Sequence, residues 1–260
     1  MDATVISAII AALTALAVQL VTHRIQQSTG KKQDEKRINE EYLNPLRLYL
    51  EESYFRIAEI MQRAEAGGGK SEAFFPVSNT EELSHKDASW FNGEGCYFIS
   101  SCYFTACLFA TIKKVRDDVP YLRLRQGDDT QLLQLLLKIN LGFLKKGGVY
   151  YALQQSIGEQ MYTRAEKRLM TYREFCEALQ DPQKRVWFDR LLRFFLETGK
   201  GRHLDRVRHA IEAIYASSTF LDKKVGGGPS LKVRLQVEGI THLTQFSALH
   251  TKKLNYDETQ

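Results

Sequence analysis

The stretch Arg202-His203-Leu204-Asp205-Arg206-Val207-Arg208-His209 carries the residue types best suited to chemistry in this chain. Histidine exchanges protons near neutral pH, so His209 would serve as a general acid or base. A guanidinium stabilises developing negative charge, the role open to Arg202. Read as one helix, Arg202, Arg206 and His209 share a face opposite Leu204, Val207 and Ile211. On that reading they avoid the core and meet either a subunit interface or water. The motif sits in a basic segment, 184–209, with Lys184, Arg185, Arg190, Arg193, Lys200, Arg202, Arg206 and Arg208 against Asp189, Glu197 and Asp205. Its excess of five positive charges equals the formal +5 of the whole chain, so the remainder is neutral. Arg185, Arg190, Arg193, Arg206 and Arg208 are the candidates to bind RNA, a nucleotide or anionic lipid. The plainer alternative is a set of solvated helix faces.

The Arg202…His209 spacing, with a polar residue directly after the arginine, resembles the Arg-x(4–6)-His motif of HEPN-type ribonucleases. That family is all-helical. Its arginine and histidine cut RNA without metal across a dimer cleft, and the resemblance implies those roles for Arg202 and His209. Two wider resemblances accompany it. Asn44-Pro45-Leu46-Arg47, Ser156-Ile157-Gly158-Glu159 and Thr171-Tyr172-Arg173-Glu174-Phe175-Cys176 resemble segments of uncharacterised bacterial proteins, which imply no activity. One N-terminal span followed by a HEPN-like helical domain is similar in layout to membrane accessory proteins of RNA-targeting CRISPR systems, which assemble into membrane pores. That layout implies an antiviral defence role.

Other chemistries lack their residues. Gly67-Gly68-Gly69-Lys70 does not have the spacing of a phosphate loop. His-Glu-x-x-His, Cys-x-x-Cys and Gly-x-Ser-x-Gly are absent. Cys96, Cys102 and Cys107 match no zinc pattern and read as small core residues, so no metal or cofactor is expected. The doublets Glu51-Glu52, Asp117-Asp118 and Asp128-Asp129 read as solvated faces or helix caps.

Helices must position these residues. Asn44-Pro45 reads as a helix start, followed by Leu46, Leu50, Ser53, Ile57 and Ile60 on one stripe. The triglycine ends it, and 67–92 reads as a loop with a short turn capped by Ser78 and Glu81. Gly95–Ile112 is uncharged for eighteen residues, yet its Tyr97, Ser100, Ser101 and Thr105 favour a central buried helix over a second membrane span. A helix from Asp128-Asp129 buries Leu132, Leu133, Leu136 and Leu137, with acid first and base last to suit the dipole. Residues 149–166 read as helical with an interruption at Gly158. Thr171-Tyr172-Arg173-Glu174 is a capping box. Asp181-Pro182 opens a helix running through Trp187 to Gly199, and 202–222 forms the last clear helix. Beyond Gly226-Gly227-Gly228-Pro229, Leu231, Val233, Leu235 and Val237 alternate with polar residues. That period predicts a strand, either folded back on 240–249 or added to a neighbouring subunit.

The N-terminus is the strongest feature. Ala3–Thr22 contains no formal charge. Twenty helical residues reach roughly 30 Å, the thickness of a bilayer's hydrocarbon core. A cleaved signal peptide would want a basic start, where this chain has Asp2. A soluble bundle helix would fit the spacing of Ile6, Ile9, Leu13, Leu16 and Leu20 but would need outer-face charges. Arg24, Lys31, Lys32, Lys36 and Arg37 follow the run, so the positive-inside bias places the N-terminus outside and the rest in the cytoplasm. Ser7, Ala11 and Ala15, with Ala8 and Ala12 beside them, give a small-residue face for helix association. If several anchors form a ring, Ser7, Thr14 and Gln19 could face a pore.

The expected architecture is therefore mainly α: an N-terminal single-pass transmembrane helix (1–23), a polar helical connector (24–44), a cytoplasmic helical bundle (45–225), and a Gly-rich linker with a short β segment near the C-terminus (226–260). The expected function is a membrane-anchored homo-oligomer that acts by binding or by perturbing the bilayer of a bacterial cell, rather than by turnover. A tethered HEPN-like ribonuclease and a ligand-free structural tether are the alternatives.

Overall fold

The computed structural model describes residues 3–67, 75–122, 127–144, 147–163, 166, 168–225 and 231–237, with the side chains of 3–15, 17, 27, 31, 119–122, 225 and 237 outside the described set. Helix dominates. Among the described residues the strands are two dipeptides, β1 (Tyr162–Thr163) and β2 (Arg168–Leu169), paired antiparallel with Tyr162 opposite Leu169. The chain divides into two compact units, Met1–Leu43 and Asn44–Gln260.

The first unit is helix α1 (Ala3–Ile38) and a π-helical turn over Asn39–Leu43. Thirty-six residues give α1 a length of about 54 Å. The π turn comes directly before Asn44-Pro45. Proline lacks an N–H and its ring crowds the carbonyl four residues back, so regular α bonding cannot run through it, and the wider turn accommodates that. Asn44 therefore follows helical residues directly, as the helical reading of 24–44 expects.

In the second unit, α2 (Asn44–Ala66) buries Leu46, Leu50, Ile57 and Ile60, the stripe read from the sequence. A 3-10 turn (Glu81–His85) and α3 (Ala88–Asn92) occupy the region expected to be loop. The turn is capped by Asn79 and Glu82, not Ser78 and Glu81: the Asn79 side chain accepts from Glu82 N–H, and the Glu82 carboxylate accepts from the N–H groups of Ser78 and Asn79. Helix α4 (Cys96–Leu122) is central, packed against α2, α6 (Tyr151–Met161), α7 (Tyr172–Gln180) and α9 (Asp189–Gly199). It is the one helix among the residues searched that is long and apolar enough to cross a membrane, but 72% of that stretch is buried in the protein. Its hydroxyls are satisfied locally: Ser101 donates to the Tyr97 carbonyl, Thr105 to that of Ser101 and Thr111 to that of Cys107.

Two glycines permit close helix crossings. A Cβ on Gly158 would lie 3.0 Å from the Phe109 carbonyl oxygen and 3.1 Å from Ala110 Cα, so its absence lets α6 lie on α4. The expected interruption at Gly158 is thus a contact inside an unbroken helix. On α5 (Asp128–Leu144), a Cβ at Gly142 would meet Ala210 Cα at 2.8 Å, which brings α5 against α10 (Leu204–Val225). Leu132 and Leu136 of α5 are buried, whereas Leu137, expected inside, is exposed.

The capping box at Thr171 is present as read: Thr171 Oγ1 accepts from Glu174 N–H and the Glu174 carboxylate accepts from Thr171 N–H. Arg168 clamps the same carboxylate through both terminal nitrogens at 2.7 Å. These bonds, Arg168 first, hold the Glu174 carboxyl down to about 2.

The C-terminal strand is a correction. Leu231–Val237 forms helix α11. The alternation competes with a second pattern, Leu231 and Leu235 at i,i+4, and both of these are buried while Val233 is exposed. Asp222 accepts from the Leu231 N–H, supplying the acceptor that a helix start requires. Arg234 then bonds Glu51 and Glu52 of α2 and lies over the Phe55 ring. No partner strand competes within the described residues; the suggested hairpin at 240–249 and the linker 226–229 lie outside them.

Candidate functional site

The basic segment folds as two helices and a tight connection. Residues 181–199 break into α8 (Pro182–Arg185) and α9, with Val186–Phe188 between them, instead of the single helix expected. Asp181 caps α8 by accepting from Gln183 N–H, and Pro182 takes the first helical position. At the far end, Gly201, not Gly199, ends α9. Its φ is +72°, Gly201 N–H donates to Thr198 O and Arg202 N–H to Glu197 O, the paired bonds of a Schellman motif. Gly199 has a different job: the Phe75 ring occupies the place of its Cβ, 2.3 Å away.

This geometry revises the face assigned to the Arg202–His209 motif. Helix α10 begins at Leu204, and His203 has a φ of +56°, so Arg202 lies in the turn before the helix and shares no helical face with His209. Arg202 is exposed, and among the described residues no acceptor meets its guanidinium. His209 is half-exposed on α10, its Nδ1 3.7 Å from Glu212 Oε2. Its backbone lies at the α5–α10 crossing, 3.1 Å from the place of a Gly142 Cβ.

Arg206 is the clearest departure from expectation. It is 1% exposed, the largest fully buried side chain of the described residues. It lies 100° around the helix from Val207, on the flank of the apolar face, and α9 covers that flank. Arg206 Nη2 donates to Glu197 at 2.8 Å and to the Phe194 carbonyl at 3.4 Å, and its guanidinium lies 4.6 Å from the Phe194 ring centroid. Burial pushes its pKa down, opposed by Glu197.

The other four arginines also have partners within the protein. Arg185 donates to the Ser84 hydroxyl. Arg190 donates to the Gly148 carbonyl at 3.0 Å and lies 4.0 Å from Glu197. Arg193 bridges Asp189 and Glu81 at 2.9 and 3.1 Å. Arg208 reaches Glu65 on α2 at 2.7 Å. Carboxylates from outside 184–209 thus offset part of its excess charge, which composition could not reveal. Part of the segment lines a solvent-open cleft of about 270 Å³, bordered by Ser78, Thr80, Arg193, Glu197, Lys200 and Arg202.

Elsewhere, burial pushes the Cys107 thiol up to about 12 and Cys176 to about 11, and it raises Cys102 as well. Such thiols are inert fillers, not nucleophiles or ligands. No group of three or more His, Cys, Asp or Glu side chains able to hold a metal occurs among the described residues. The side chains of Ser7, Ala8, Ala11, Ala12, Ala15 and Thr14 lie outside the described residues; Gln19 is exposed on α1.

No family model, curated protein or solved structure matches the chain. The class this fold defines is a mainly helical protein with a separate, long N-terminal helix.

Proposed function

We propose that the protein is anchored in a membrane by the first part of α1, self-associates there, and acts by binding or by altering the bilayer. The observation that carries this is the surface of α1. Leu16 (59% exposed), Val18, Leu20 (57%) and Val21 stand open over more than half the helix circumference, within a run, 3–22, that has no formal charge. An uncharged helix with so wide an apolar surface is matched to lipid and mismatched to water. Arg24, Lys31, Lys32, Lys36 and Arg37 support an orientation with residues 24–260 on the cytoplasmic side. Binding is favoured over turnover because Arg202 lies in the turn before α10 and shares no helical face with His209.

Extraction of membranes at alkaline pH tests the anchor: the full chain stays with the lipid, and a chain with Leu16 and Leu20 replaced by Lys is released. Release of the unaltered chain refutes the anchor. Crosslinking in the membrane tests self-association, and a result showing monomer alone refutes it.

A second reading, a tethered HEPN-like ribonuclease, is favoured by one observation: the exposed Arg202 beside the cleft, with His209 also solvent-accessible. Labelled RNA cut by the purified chain, and left intact by Arg202→Ala or His209→Ala, would establish it. Uncut RNA removes it.

A further inference from the structure

We infer that α11 is a strap that undocks from α2 and α10 as a unit while the rest of the helical bundle stays folded, and that Arg234 sets how often it opens. Docked, the strap covers the α2 face that carries Glu51, Glu52 and Phe55. It thereby closes that face to any other segment of its own chemistry, a helix with leucines four residues apart and an arginine between them. This goes beyond membrane anchoring and does not depend on it.

The strap is held by few groups. Its seven residues make about two turns, too short to stay helical alone in water, so its helix depends on docking. Among its described side chains, Leu231 and Leu235 are buried, whereas Lys232, Val233 and Gln236 are exposed. Its charged contact is Arg234, which donates to Glu51 and, at 3.4 Å, to Glu52, and lies over the Phe55 ring.

The bundle does not need the strap to balance its own charges. Arg47 donates to Glu51 at 3.0 Å and lies 2.8 Å from Asp222. Both carboxylates therefore keep a guanidinium when Arg234 and the Leu231 N–H withdraw. Glu52 is partly exposed, so water replaces Arg234 there. Opening thus strands no unpaired carboxylate in the core, the event that makes loss of a buried partner costly. Helix α10 stays fixed by its crossing with α5 at Gly142 and Ala210, three turns up the helix from Asp222.

Hydrogen exchange of the full chain in detergent, read by mass spectrometry over 231–237, tests this. The hydrogen-bonded N–H groups of α11 should exchange about a hundredfold or more faster than those in the middle of α10, at a rate insensitive to low guanidinium, because a local opening exposes little surface. Arg234→Gln should speed exchange in α11 by about tenfold, the size of one lost charge-assisted hydrogen bond, and leave α2 and α10 unchanged. Lys232→Gln removes the same charge from the exposed side of the same helix and should leave α11 within about twofold. Exchange in α11 at the α10 rate, with the same guanidinium dependence, overturns the strap, because α11 then opens only with the bundle. Exchange as fast as in an unstructured peptide also overturns it, because nothing is then docked. Acceleration of α2 and α10 along with α11 in Arg234→Gln overturns the independent opening. No acceleration by Arg234→Gln, or an equal one by Lys232→Gln, overturns the role of Arg234.

Discussion

Removing Glu197 is expected to destabilise the helical unit far more than removing the arginine it serves. Arg206 is 1% exposed and Glu197 28% exposed, with 2.8 Å between them. At an effective dielectric constant of 20, unit charges about 4 Å apart attract by about 4 kcal/mol, and desolvating the arginine offsets a similar amount. Glu197→Ala keeps the desolvated guanidinium and removes its counter-charge. The cost is about 3 kcal/mol, the low end for such losses, because water can enter where Glu197 was partly exposed. Arg206→Met removes both terms and leaves an unbranched apolar chain on the Phe194 ring, a change of about 1 kcal/mol or less. For a unit of this size each kcal/mol moves Tm by about 2–4 °C. Thermal unfolding of the full chain in detergent, followed by circular dichroism, should therefore fall by about 6–12 °C in Glu197→Ala. It should change by less than about 4 °C in Arg206→Met. In the double variant the Glu197→Ala loss should largely disappear. Equal losses in the two single variants, adding in the double, would refute the buried-pair reasoning. An unchanged Tm in Glu197→Ala would show that Arg206 is already solvated.

Three further outcomes follow from the packing and the titrating groups. Gly158→Val forces α6 off α4, since its Cβ would sit 3.0 Å from the Phe109 carbonyl oxygen, and should cost about 1–3 kcal/mol in denaturant unfolding. The Glu174 carboxyl is depressed to about 2, so its contribution is complete above its ordinary value of 4.5 and is lost as pH falls from there toward 2. Glu174→Gln should flatten that part of the acid unfolding curve, and an unchanged curve would count against the Arg168 clamp. Maleimide near neutral pH should modify Cys96, which is partly exposed, well before Cys102 and Cys107, which should react after denaturation; early loss of the Cys102 or Cys107 thiol by mass spectrometry would contradict their burial.

Helical content was legible in the residues because it depends on spacing along one segment. Leu46, Leu50, Ile57 and Ile60 recur at 3.6-residue intervals, and Thr171 and Glu174 cap their own helix within four residues. The charge-free run 3–22 and the basic flank after it are likewise properties of order alone. Of the three cysteines that read as core residues because their spacing matches no zinc pattern, Cys102 and Cys107 are buried and Cys96 is partly exposed.

Tertiary structure decided what depends on a neighbour from elsewhere in the chain. Leu231–Val237 satisfies a two-residue and a four-residue period at once, and the α2 carboxylates with the Asp222 cap selected helix. Trp187 reads as part of one continuous helix until the chain turns at Val186–Phe188 and leaves it in solvent. Arg206 reads as a surface base until α9 folds over it, because burial of a flanking residue is set by what packs there and not by its own helix. The same holds for the basic segment: its order along the chain states the charge, and carboxylates such as Glu65 and Glu81, more than one hundred residues earlier, state how much of that charge is spent inside the protein.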